Sequence, residues 1–180
     1  MFDIGVYDPD GIIPNRAVVR AIRAAGDYAI CYVDAGTSEN WRPDATRFAR
    51  DLLGRPNGWP GERWLRTRNT SILLPLMAAR VAMRGTAGFE GVEFDNVDGY
   101  ASNTSFPNTF AKQLRYKRDL AALAHRDGLA AGRKNDYGQV KALQPYFDFA
   151  VDEQCAEYAE CALLEPLVSR HQLSSTSNTN

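Results

Sequence analysis

Val92-Glu93-Phe94-Asp95-Asn96-Val97-Asp98-Gly99-Tyr100 sets three carboxylates and an amide at the end of an apolar run. Gly88-Phe89-Glu90-Gly91-Val92 leads in as a short buried strand, and Gly99 with the Ser/Asn/Thr-rich stretch behind it marks a loop. In a parallel α/β sheet, chemistry is done at the C-terminal ends of strands and in the loops that follow them. Asp95 therefore stands where a reacting group is expected. The plainer alternative is an acidic loop held by its own turns, because Asp and Asn favour turns anyway.

Working outward, strand-like and helix-like segments alternate. Phe2 to Tyr7 reads as a strand and Pro14 to Ala25 as a helix closed by Gly26. Tyr28 to Val33 is a second strand, followed by a polar loop from Asp34 to Asp44, with Asp44 placed to cap a helix from Ala45 to Leu53. After a Pro/Gly-rich connection, Trp64 to Arg68 reads as a weak strand and Thr70 to Arg84 as a helix. Gly91 to Asp95 is the fourth strand, and apolar spacing predicts a helix over 108–127 ending at Gly128. Leu129 to Lys134 and Phe147 to Val151 complete six strands, with short helices at Val140 to Leu143 and near Glu157 to Ser169. Residues 173–180 have the composition of a disordered tail, leaving 1–172 as the folded domain.

Such a succession of βα units argues a parallel sheet, either doubly wound or part of a barrel. No glycine-rich phosphate fingerprint follows any strand, so the dinucleotide-binding reading loses its support. Acid recurs instead: Asp8 and Asp10, Asp34 and Glu39, Asp95 and Asp98, Asp136, then Asp152 and Glu153. The strand ends converge on one negative face.

Composition narrows the classes. A net charge of −1 and scattered basic residues give no footing for nucleic acid or an anionic membrane surface. No apolar run is long enough to span a bilayer, and the first residues lack the basic and apolar regions of a signal peptide. Cys155 and Cys161 stand close enough in sequence to close a small loop, whereas Cys31 sits in an apolar run and reads as buried. His125 and His171 have no ligand-spaced partners, so no zinc site is expected, and no cofactor is implied.

Two carboxylates from different strands facing one cleft are the minimal equipment for cleaving a glycosidic bond. Asp95 and Glu153 are the best candidates, since each follows a run that should bury its backbone and fix the side chain. Tyr32, Trp41, Tyr100 and Tyr137 are candidate sugar-stacking aromatics, with ordinary loop packing as the alternative. The same acids could hold Mg²⁺ or Ca²⁺, although Lys134 beside them would compete with a cation.

The strings Cys31-Tyr32, Ala35-Gly36, Ser38-Glu39-Asn40-Trp41-Arg42-Pro43-Asp44, Glu93 through Tyr100, Lys134-Asn135-Asp136 and Glu153-Gln154-Cys155 with Cys161 resemble the motifs of glycoside hydrolase family 114. These are endo-α-1,4-polygalactosaminidases, and the resemblance implies a (β/α)8 TIM-barrel fold. It also implies Asp95 as nucleophile and Glu153 as general acid/base of a retaining mechanism. Asp34, Glu39, Trp41, Arg42, Glu93, Asn96, Asp98, Tyr100, Lys134 and Asn135 would line the substrate cleft. The implied partner is a cationic galactosamine-containing polysaccharide, which Asp34, Glu93, Asp98, Asp136 and Asp152 would attract. The resemblance implies an extracellular protein as well.

This chain departs from the family pattern at Asp34, Arg66 and Asp152, where a serine, an aspartate and an asparagine are usual. Arg66 would place a cation near the cleft unless a neighbouring acid pairs with it. The first and last barrel strands of the family have no evident counterpart, so the expectation is an incomplete barrel holding strands two to seven. A catalytically inactive, truncated relative that binds polysaccharide or has no activity is the alternative function.

Overall fold

The computed structural model describes residues 1–4, 16–153, 155, 157, 159, 161–164 and 173–177. Its main sheet has six parallel strands: β1 (Phe2–Ile4), β2 (Ala29–Asp34), β6 (Gly91–Asp95), β7 (Ala130–Lys134), β8 (Phe149–Glu153) and β9 (Leu173–Ser177), side by side in that order. Strand order never reverses along the chain. A doubly wound sheet needs such a reversal, so the arrangement is that of a barrel wall. Among the described residues β1 and β9 stay unjoined, leaving the barrel open as the sequence suggested.

The two faces of this sheet are sorted by the period of two along each strand. Ala29, Cys31, Val33, Val92, Phe94 and Ala131 pack outward against the helices, meeting Leu73, Met77 and Val81 of α2 (Thr70–Ala87) and Tyr116 and Leu120 of α3 (Phe110–Arg126). Ile30, Phe149 and Val151 form a smaller cluster on the inner face. Gly132 is obligatory there, because a Cβ would lie 2.2 Å from the Phe149 ring.

Helix ends follow local chemistry. The Thr109 side chain accepts from the Lys112 N–H at the start of α3, and Gly128 turns the chain beyond its end at φ +73°. Helix α1 (Arg16–Ala24) and the short α4 (Val140–Leu143) lie where the spacing predicted them.

The region from Thr37 to Leu65 differs from expectation. The polar loop contains β3 (Thr37–Glu39), which pairs antiparallel with β5 (Glu62–Leu65), itself antiparallel to β4 (Leu53–Pro56). The Trp64 segment therefore belongs to a separate three-stranded sheet and not to the barrel wall. The expected helix over 45–53 is two single turns, Ala45–Arg47 and Arg50–Leu52. Asp44 does not cap them; its carboxylate is held by Arg80 at 2.7 and 2.8 Å. Phe48 and Leu52 are buried in the main core, which fixes this irregular path.

The far end differs too. Leu173–Ser177 is a strand paired in register with β8, where composition had suggested a tail. The sheet thus reaches its sixth strand through this segment. Cys161–Leu164 forms one turn, and the remainder of the expected helix up to Ser169 lies outside the described residues.

Candidate active site

Register places the functional side chains. Tyr32 pairs with Glu93 and Asp34 with Asp95, so these four point to the inner face in two layers at the C-terminal end of the wall. Lys134 ends β7 and Glu153 ends β8 on the same face. The Lys134 ammonium lies 2.8 Å from Glu93 Oε1, 3.2 Å from Glu153 Oε1 and 3.9 Å from Asp95 Oδ2. The sum of the last two distances caps the separation of those two oxygens at about 7 Å, within the reach of paired glycosidase carboxylates. Lys134 is 7% exposed, whereas Asp95 and Glu153 are 22% and 37% exposed. The cation is enclosed and the two acids reach solvent. Below them the Tyr32 hydroxyl lies close to Asp95, and its ring faces the ammonium at 5.8 Å. Burial, then the charges of Asp34 and Asp95, push the Tyr32 hydroxyl pKa well above its ordinary value.

Each candidate carboxylate is set by an asparagine in the left-handed region. Asn96 (φ 56°) donates its backbone N–H to Asp95 Oδ1 at 2.8 Å and its side-chain amide to Asp34 Oδ2 at 3.0 Å. Asn135 (φ 43°) accepts the Glu153 N–H on its side-chain oxygen at 2.9 Å and donates its own N–H to the Val151 carbonyl. Gly36 allows the close approach on the first side, since a Cβ there would sit 1.5 Å from the Asn96 carbonyl oxygen. The N–H groups of Ala35 and Gly36 both donate to the Asp95 carbonyl. Strain of this kind persists where the surrounding structure over-determines it.

Next to this pair is a buried acidic pocket that sequence reading found only in part. Asp34 accepts from the N–H groups of Gly36 and Thr37 and meets the Thr37 hydroxyl, which also lies 3.2 Å from Glu62 Oε2. Burial raises the Asp34 pKa to about 8, against the lowering effect of its hydrogen bonds to Thr37. Glu39 is clamped by Arg42 through bonds of 2.5 and 2.7 Å, and Asn57 holds Glu62 at 2.6 Å. Oxygen atoms of Asp34, Glu39 and Glu62 lie within 4.8 Å of one another, a set a cation could join geometrically. All three already have partners in the protein. Thr37 and Glu62 were missed because their role depends on the antiparallel pairing of β3 with β5; the alternation Glu62, Trp64 along β5 was the available signal.

Other predicted residues take different places. Arg80 binds the Asp34 carbonyl at 2.6 Å while holding Asp44, whose charge its guanidinium stabilises despite partial burial. Tyr100 donates to Asp136 at 2.7 Å and packs edge-on against Phe110. Asp136 is also paired with the buried Lys117, and its side chain is shielded from the cleft. Asp98 lies close to both; burial raises its pKa, with Lys117 opposing. Asp152 faces the outer side, fully buried and paired with Arg133 at 3.3 Å. Of the acids expected to attract a cationic chain, Asp34, Glu93, Asp136 and Asp152 are thus buried and engaged, a correction to the picture of an open acidic lining.

Trp41 is 54% exposed, whereas Tyr137 is partly buried and packs on the cluster of Val140, Ala150 and Cys155. Arg66 lies over the Phe106 ring at 5.6 Å, with no ion pair among the described residues. Cys155 and Cys161 form a disulfide, and Cys31 is buried in the core. Asp8, Asp10 and Gln154 lie outside the described residues. No described helix is long and apolar enough to cross a membrane.

Two solvent-reaching carboxylates at the ends of β6 and β8, on either side of the lysine that ends β7, fit the two-carboxylate plan of glycosidases built on an α/β barrel wall. The chain belongs to glycoside hydrolase family GH114, whose family model matches residues 1–173. The structure of Aspergillus fumigatus Ega3 in complex with galactosamine is similar, with a TM-score of 0.88 and 31% identity over 97% of this chain and 69% of that one. The glycoside hydrolase domain of PelA from Pseudomonas aeruginosa shares the fold at TM-score 0.63 and 14% identity, covering 88% of this chain and 70% of that one. Isomaltulose synthase PalI from Klebsiella sp. LX3 shares it at TM-score 0.57 and 10% identity, over 83% of this chain and 41% of that one. Comparison with curated protein sequences returns no match.

Proposed function

We propose that this chain is an endo-acting glycosidase that cleaves α-1,4-linked galactosamine polymers with retention of anomeric configuration. Asp95 serves as nucleophile and Glu153 as general acid/base. The observation that carries this reading is the single ammonium of Lys134 within 3.2 Å of Glu153 and 3.9 Å of Asp95, which brings the two acids to one gap. In a retaining cycle Asp95 attacks the anomeric carbon while Glu153 protonates the departing oxygen, and Glu153 then takes a proton from the water that releases the sugar.

The Lys134 ammonium lies 3.9 Å from Asp95 Oδ2 and the Tyr32 hydroxyl lies close by, so a cation and a hydroxyl flank the carboxylate that attacks. Galactosamine bound to Ega3, a relative of 31% identity, supports an amino sugar as the unit recognised here. The Cys155–Cys161 disulfide supports work in an oxidising, extracellular setting.

The test is incubation with partly deacetylated galactosamine polymer, following new reducing ends and their anomeric configuration by NMR. The α-anomer should appear first, and Asp95→Asn should abolish its formation. First appearance of the β-anomer, or undiminished cleavage by Asp95→Asn, overturns the assignment.

A further inference from the structure

We infer that the three-stranded sheet is a second carbohydrate platform, on which Trp59 and Trp41 hold a stretch of the amino-sugar polymer away from the bond being cut. This inference rests on the glycosidase reading and extends it. Trp59 and Trp41 are 70% and 54% exposed, more than the other large aromatics among the described residues except Tyr28. Exposed apolar rings gathered at one place mark ligand-binding surfaces, where scattered single ones do not.

Both belong to one turn system. Asn40 donates its N–H to the Gly61 carbonyl and Glu62 donates to the Trp59 carbonyl, while the Trp59 N–H is fixed on the Asn57 side chain at 3.0 Å. Trp41 lies against Gly61 so closely that a Cβ there would meet its ring at 2.9 Å. The two indoles therefore flank one tight turn at Gly61. Between Asn40 and Trp59 runs a groove of about 470 Å³, lined also by Pro60 and Glu62. Arg63, the cation on its edge, is tied through Nε to the Gly54 carbonyl.

Continuity with the catalytic gap commits this surface to the polymer. Strand β3 begins three residues after Asp34, whose carboxylate shares Asn96 with Asp95. Trp41 follows Asp34 by seven peptide steps, so the platform is within about 25 Å of that strand end. A polymer of linked sugars held at the gap can extend over any distance within that bound. The Glu62 at the base of the groove also touches the Thr37 hydroxyl beside Asp34. A sugar ring presents an apolar C–H face to stack on indole, and a protonated amine on that sugar is drawn to the ring face.

Calorimetry in a Glu153→Gln background, where cleavage is blocked, tests this with the deacetylated polymer and with short oligomers cut from it. Trp59→Ala and Trp41→Ala should each weaken polymer binding about three- to fivefold, the range an exposed cation–π contact supplies. The loss should grow with chain length, and Trp59→Phe, which keeps a ring, should restore most of it. Equal losses for short and long ligands, no loss for either, or a concentration-dependent dimer that disappears with Trp59→Ala would overturn the inference. Polymer that binds in a tryptophan-dependent way yet is not cut by the parent protein refutes the hydrolase reading alone. Polymer that is cut by the parent, with affinity indifferent to both tryptophans, refutes the platform alone.

Discussion

Arg133-Lys134 and Asp152-Glu153 are two pairs of consecutive charged residues at the ends of adjacent strands, and the fold treats the members of each pair oppositely. Arg133 and Asp152 meet at 3.3 Å on the helix side, both essentially without exposure. Lys134 and Glu153 meet at 3.2 Å on the inner side, where Glu153 is 37% exposed. The chemistry is alike and the surroundings are not. Period-two alternation converts one-residue steps into a structural ion pair and a working one. Burial on the outer side pushes the Asp152 pKa up and the Arg133 pKa down, each partner countering the other's shift.

Substituting neighbours should expose this contrast most sharply. Glu153→Gln is expected to cut polymer cleavage about 10²–10⁴-fold with an unchanged melting temperature, since the side chain reaches solvent and the backbone contact to Asn135 survives. Asp152→Ala should do the reverse, costing about 3–5 kcal/mol of stability because Arg133 stays charged, buried and unpaired. Rate assays at low temperature and thermal melts on the same preparations check both. A rate loss in Asp152→Ala that persists at low temperature, or a falling melting temperature in Glu153→Gln, would erase the distinction.

A double replacement sharpens it further. Among the described residues, Arg133 Nε and Nη1 and Asp152 Oδ2 have no hydrogen-bond partner, so the outer pair is incompletely satisfied. Arg133→Met with Asp152→Leu should therefore recover stability to within about 1 kcal/mol of the parent or above it, as apolar replacements of buried pairs do. Lys134→Met on the inner side should recover nothing. It strands Glu93, which is 1% exposed with Lys134 as its ion-pair partner, so both the melting temperature and the cleavage rate should fall. Loss of rate with an unaltered melt would show that Glu93 finds another partner.

How far the sequence revealed these arrangements depends on the kind of interaction. The apolar runs ending in Asp34, Asp95, Lys134 and Glu153 were legible, because a buried strand must be apolar and its first polar residue marks its end. The resemblance through Glu93 to Tyr100 and Lys134 to Asp136 pointed to the same face. Which neighbour turned inward was not legible, because alternation gives two faces without saying which one meets the helices. Asp152 and Asp136 were read as cleft residues for that reason, and both are buried against cations. The Thr37–Leu65 sheet was hidden by short strands broken by Gly54 and Pro56, and by a helix-like stretch at Ala45 to Leu53. Leu173–Ser177 was hidden because its ladder to β8 is made by backbone groups, which a Ser/Thr-rich composition does not advertise.

The smallest expected effect concerns pH and compares Asp34, buried beside the gap, with an uncharged amide in the same place. Its folded pKa, about 8, stands above the ordinary carboxylate value because burial disfavours the charge. Between those two values the folded protein holds a proton that the unfolded chain has released. Stability from this site is then complete at low pH and declines as pH rises toward 8, by at most about 1.4 kcal/mol per pH unit. Asp34→Asn removes the titration while keeping an oxygen for the Gly36 and Thr37 N–H groups. Melting temperatures from pH 4 to pH 8 should therefore fall less steeply for Asp34→Asn than for the parent. If Asp34→Asn keeps the parent slope, Asp34 is ionised throughout that range, and its closeness to Thr37 is an ordinary hydroxyl-to-carboxylate bond in which the threonine donates.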